Sequence, residues 1–119
     1  MTSYELERRD AEAVSGMIVA DVYGELDLTN ARHLEEQLAG LATNGERLVL
    51  DLNRVTFIDS AALHALFRTA RRLGEGRFGI ALAPAAALSR TLTIVGLTDE
   101  VPVRPTTDDV AQLLAAPVA

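Results

Sequence analysis

Residues 47–53, RLVLDLN, run almost without a break through apolar and β-branched side chains. A strand that is apolar on both faces must be covered on both faces, so this segment predicts a central strand with helices packed on its sheet. The flanking segments narrow the choice further. On each side the apolar period changes to three and four residues, which is the spacing of one helix face.

Upstream, SYELERR alternates weakly and reads as an edge strand, while MIVADVYG (Met17 to Gly24) sets Ile18, Ala20 and Val22 on one face. The two pair as a hairpin around Ala11 to Gly16. LTNARHLEEQLAGLATNG then places Ala31, Leu34, Leu38 and Leu41 on a helix face, with Thr29 as N-cap and Asn44-Gly45 as stop. Downstream, Leu63, Leu66, Phe67, Ala70 and Leu73 mark a second helix that ends at Gly74 to Gly76. RFGIAL is another strand. Pro84 suits the first turn of a third helix, with Leu88, Leu92 and Val95 inward and Gly96 closing it. VPVRP reads as a short edge strand, and Thr106 to Asp109 caps a last helix.

The order β-β-α-β-α-β-α-β-α implies an α/β fold: a mixed four- to five-stranded sheet with about four helices packed on it. The 119 residues suffice for one domain, and no repeat, linker or low-complexity tract divides them.

Composition removes several functions. The net charge of −6 disfavours nucleic acid and bare anionic membrane as partners. There is no Cys, so disulfides and thiolate-held metals are excluded. His33 and His64 complete no metal-ligand spacing, and both are read as structural histidines. No metal or cofactor is expected. No apolar stretch reaches membrane-spanning length and no leader is evident, so the expectation is a cytoplasmic chain.

Three motifs look chemical. GEGRFG (Gly74 to Gly79) spells G-x-G-x-x-G, but it lies between a helix and a strand, the reverse of a dinucleotide site. Ser60, His64 and Asp27 supply the ingredients of a nucleophilic triad, yet no G-x-S-x-G elbow or oxyanion loop accompanies them. No enzymatic activity is expected. His64, Arg68, Arg71 and Arg72 form a basic stripe on the outer face of the second helix, either a solvated face or a dock for an acidic partner.

YGELDLTNA (Tyr23 to Ala31) and LVLDLNRVTFIDSAAL (Leu48 to Leu63) are far more specific. They closely resemble the two signature segments of STAS domains, the fold of bacterial anti-sigma factor antagonists. LSRTLTIVGLTDEVPV (Leu88 to Val103) is similar to the family's third helix, glycine stop and last strand. The resemblance implies one STAS domain over residues 1–119. It also implies a protein partner: a GHKL-type anti-sigma factor and serine kinase whose sigma factor is displaced. STAS subunits of ABC lipid transporters, which bind the transporter ATPase, offer a second reading, and a non-phosphorylated scaffold a variant of the first.

The family phosphorylates an Asp-Ser-Ser/Thr-Gly motif on its second hydroxyl. Laid onto this chain, the motif puts Asp59 at the acid, Ser60 at the first hydroxyl, Ala61 at the acceptor and Ala62 at the glycine. Ala61 cannot accept phosphate. Ser60, about 100° around a helix from it, reads as an N-cap, a role Asp59 can share, or as a substitute acceptor. Ala62 in place of glycine suggests that no partner backbone approaches closely there. Asp27 reads either as part of the partner surface or as a turn residue ahead of Thr29. The expected partner-binding set is therefore Asp27, Thr29, Asp59, Ser60, Ala61, His64 and Arg68.

Overall fold

The computed structural model describes residues 3–12, 14–43 and 45–116. Strands β1 (Tyr4–Asp10), β2 (Met17–Leu26), β3 (Arg47–Ile58), β4 (Phe78–Ala81) and β5 (Val103–Arg104) form one sheet in that spatial order. The β1–β2 pair is antiparallel and the other three pairs are parallel, so the sheet is mixed as expected. Helices α1 (Ala31–Leu41), α2 (Ser60–Leu73), α3 (Ala87–Ile94), α4 (Leu97–Glu100) and α5 (Thr107–Ala115) complete the described elements.

The apolar run in β3 has the consequence its composition requires. Leu48, Leu50 and Leu52 lie in the core formed with α1, α2 and the α3–α4 segment. Val49 turns to the opposite face, where Val110, Ala111 and Leu114 of α5 cover it together with Met17, Val19 and Ala81. Both faces of the first half of β2 are covered as well, so Met17 and Val19 are as deeply buried as Ile18 and Ala20. Burying a Leu or Val of this kind contributes about 1.5–3 kcal/mol relative to leaving it in water. The α5 layer is therefore part of what holds the sheet.

Two glycines permit close approaches. Gly24, at φ +108, lies where a Cβ would fall 2.5 Å from the Ser3 carbonyl oxygen. It sits at a register shift of β2 against β3. Gly79 of β4 lies beneath α5, where a Cβ would meet Val110 Cγ1 at 2.4 Å.

Several element ends differ from the sequence reading. Residue Asn30, not Thr29, occupies the N-cap of α1, and it makes no side-chain cap bond. The Asn30 amide is used inside the preceding loop instead, as described below. Helix α1 ends at Leu41, and Asn44 lies outside the described residues. Pro84 precedes α3 rather than opening it, because residues 83–86 close a turn through Ala86 N–H donating to the Ala83 carbonyl at 3.0 Å. Val95 is 41 % exposed instead of inward, since α3 has already ended at Ile94. A one-turn helix, α4, fills the stretch between Gly96 and Val101. The closing helix follows expectation: the Thr106 side chain accepts from Asp109 N–H.

Candidate functional site

Strands β2 and β3 run parallel and stay paired to Leu26 and Ile58. Parallel neighbours deliver their C-terminal loops to the same edge of the sheet. The β2–α1 loop, residues 27–30, therefore meets the start of α2. Asp59 N–H donates to the Leu26 carbonyl at 3.1 Å, so the two strands are still joined where both leave the sheet.

Asp59 then uses both carboxylate oxygens. Oδ1 accepts from Ala62 N–H at 3.0 Å, capping α2, and Oδ2 accepts from Leu28 N–H at 2.9 Å, across the loop. The capping bond satisfies one of the donors that the first turn of a helix leaves unpaired. Within the loop, Asp27 N–H donates to Asn30 Oδ1 at 3.0 Å, and Thr29 N–H donates to Asp27 Oδ1 at 2.9 Å. The Thr29 hydroxyl donates to the same Asp27 oxygen, and Asn30 Nδ2 donates to the Glu25 carbonyl at 2.9 Å. Three successive backbone N–H groups are thus held by side-chain oxygens.

The structure brings Asp27, Thr29, Asp59, Ser60 and Ala61 to one edge. Of the two capping candidates it is Asp59 that takes the N-cap, and not Ser60, which is the first helical residue, with an exposed side chain. An Asp carboxylate can reach the N3 amide from the extended backbone that Asp59 adopts, so the serine is not needed there. Ala61 is half-buried against the core. Ala62 is fully buried, so its methyl faces the core.

His64 and Arg68 follow Ser60 at four-residue intervals and are both exposed. Arg68 stands about 12 Å along the helix axis from Ser60, at 1.5 Å per residue. Its guanidinium is held by Glu35 of α1, with Nη2 at 2.8 Å from Oε1. Arg71 pairs with Glu100 of α4 at 3.5 Å. Neighbouring acids thus partly neutralise the basic stripe.

Sequence reasoning missed Leu28 and Phe57. Leu28, whose N–H is held by Asp59, is 77 % exposed, and Phe57, near the end of β3, is 47 % exposed. The available signal was the apolar residue inside the otherwise polar turn Asp27-Leu28-Thr29-Asn30.

No hydrogen bond joins Ser60 to His64, and among the described residues no three His, Cys, Asp or Glu side chains converge as metal ligands. A groove of about 550 Å³ does exist, lined by Arg47, Arg77, Pro102 and Leu113 among others. It lies at the N-terminal ends of the parallel strands, away from this edge. GEGRFG is a helix stop there, with Gly74 as the C-cap of α2. No described helix is long and apolar enough to cross a membrane.

The STAS domain family profile matches residues 8–110. The crystal structure of an anti-sigma factor antagonist from Mycobacterium paratuberculosis superposes with a TM-score of 0.82 at 30 % identity, covering 96 % of each chain. A Thermotoga maritima structure described in the same terms gives 0.74 at 17 % identity over 93 % of this chain and 95 % of that one, a likeness of fold alone. BtrV of Bordetella bronchiseptica, which carries an anti-sigma factor antagonist name, is 38 % identical over 65 residues. That match spans 54 % of this chain and about half, 56 %, of the curated relative.

Proposed function

The chain belongs to the STAS domain family, and from that premise we propose that it docks a GHKL-type anti-sigma factor or serine kinase in the cytoplasm, releasing the sigma factor held there. On this reading residues 1–119 act as one regulatory, non-enzymatic STAS domain. The observation that carries it is the joining of the β2–α1 loop and the start of α2 into one exposed surface through Asp59. Asp27, Thr29, Asp59, Ser60 and Ala61 line that surface, and His64 and Arg68 extend it along α2.

The chemistry of the first turn explains how such a surface is ordinarily switched. A phosphate at a helix N-terminus is tolerated locally by the free amides and the positive end of the dipole. It nonetheless adds nearly two negative charges to a face that must pack on a partner. At the position where the family carries the acceptor hydroxyl this chain has Ala61, so docking is not ended by phosphorylation there. A phosphate on Ser60 would lie beside the Asp59 carboxylate, whose two oxygens are already committed. That repulsion makes Ser60 a poor substitute.

Affinity capture from the native cell, with the bound proteins identified by mass spectrometry, tests the proposal. Recovery of a GHKL-type ATPase is expected. Recovery of an ABC transporter ATPase instead would replace this reading with a transport role.

A further inference from the structure

Leu28 is the most exposed large apolar side chain among the described residues, at 77 %. Its surroundings set it apart from the other strongly exposed one, Ile94, at 76 %. Ile94 is the last residue of α3, beyond which the chain turns at Gly96. Leu28 stands in a loop whose consecutive amides 27, 28 and 29 are each bound by a side-chain oxygen, from Asn30, Asp59 and Asp27. The Leu28 amide in particular is held by the residue that caps α2.

We infer that Leu28 is the apolar anchor of the docking surface, and that Asp59 is the positioning residue that presents it. The inference rests on the partner-docking reading above and takes as its occupant an apolar pocket on the GHKL-type partner. Exposing leucine to water costs the free chain burial energy that a partner pocket would return. A loop already fixed by its own side chains loses little further backbone entropy on binding, which is the advantage of preorganisation. The anchor is also continuous with the surface containing Ser60 and Ala61, because one carboxylate ties both parts together. Buried apolar anchors dominate the energetics of protein interfaces, whereas exposed ion pairs such as Arg68–Glu35 contribute little.

Replacing Leu28 or Ile94 with photo-activatable p-benzoylphenylalanine in the native cell, and identifying the adducts, locates the contact. An adduct between position 28 and a GHKL-type ATPase, with none from position 94, is expected. Affinities of that purified ATPase for Leu28→Ala, Asp59→Asn and Ile94→Ala then measure the roles. Leu28→Ala should weaken binding at least tenfold and Ile94→Ala less than twofold.

Asparagine caps helices as well as aspartate does, but its amide nitrogen cannot accept from Leu28 N–H. Asp59→Asn should therefore weaken binding several-fold and speed hydrogen exchange at the Leu28 amide, with the Ala62 amide still protected. Absence of any adduct at position 28, or a Leu28→Ala affinity within twofold of the parent, overturns the anchor. An adduct at 28 to a protein of another class, with binding to it lost in Leu28→Ala, keeps the anchor and overturns the GHKL assignment.

Discussion

Gly79→Ala tests whether α5 is a fixed layer of this fold. The new Cβ would lie 2.4 Å from Val110 Cγ1, 3.5 Å from Leu114 Cδ1 and 3.6 Å from the Pro102 carbonyl oxygen. Ordinary contact begins near 3.4 Å, so α5 and β4 must separate by about 1 Å at Val110. Strand β4 cannot yield easily, because it is paired on both sides, with β3 and with β5. The movement therefore falls on α5, which covers Met17, Val19, Val49 and Ala81. Overpacking of this kind costs about 1–3 kcal/mol. Against it stands the reduced freedom of the unfolded chain, which contributes about 0.4–1 kcal/mol when Gly becomes Ala.

A contact this short puts the overpacking in the upper half of that range, so the net expectation is a loss of about 1–2.5 kcal/mol. Urea denaturation should show it as a lower midpoint with an unchanged slope. Val110→Ala removes the clashing methyl, so a double-mutant cycle should give a coupling of about 1 kcal/mol or more between the two positions. A Gly79→Ala protein within about 0.5 kcal/mol of the parent would refute the reasoning, as would simple additivity with Val110→Ala.

Leu66→Ala, at a fully buried position of α2, should cost about 2–5 kcal/mol by the same denaturation measurement. Thr106→Ala removes the side-chain cap on Asp109 N–H and should cost about 1 kcal/mol. Burial pushes the Tyr4 phenol above its ordinary range. Its folded-state value exceeds the unfolded one, so the stability it contributes is complete below the ordinary phenol range and is lost as pH rises through the folded value. Denaturation of the parent and of Tyr4→Phe across the alkaline range should show that loss in the parent only.

How far the sequence carried this account depends on which forces act at each segment. The alternation of periods was sufficient for the order of elements along the chain and for most helix faces, because burial of Leu34, Leu38, Leu50 and Leu66 follows directly from spacing. Helix starts were less legible where several polar residues compete. Thr29, Asn30, Asp59 and Ser60 are all good caps by type, and only the fold shows Asn30 turned into the loop and Asp59 turned onto α2. Pro84 misled for a related reason: its φ suits a turn as well as a first helical turn. The bifurcated use of Asp59 joins residues 31 apart in sequence, so no local pattern could announce it. Leu28 was visible only as an anomaly, an apolar residue in a turn whose exposure is a property of the folded chain.

The proposed function is a docking surface of the antagonist type that lacks its acceptor hydroxyl at Ala61. It is tested most directly by incubating the parent chain and Ala61→Ser with the captured GHKL-type ATPase and ATP, then reading intact mass and complex retention together. The parent is expected to gain no phosphate and stay bound, while Ala61→Ser gains one phosphate and dissociates. A stoichiometric phosphate on the parent chain at Ser60, followed by its release, would contradict it.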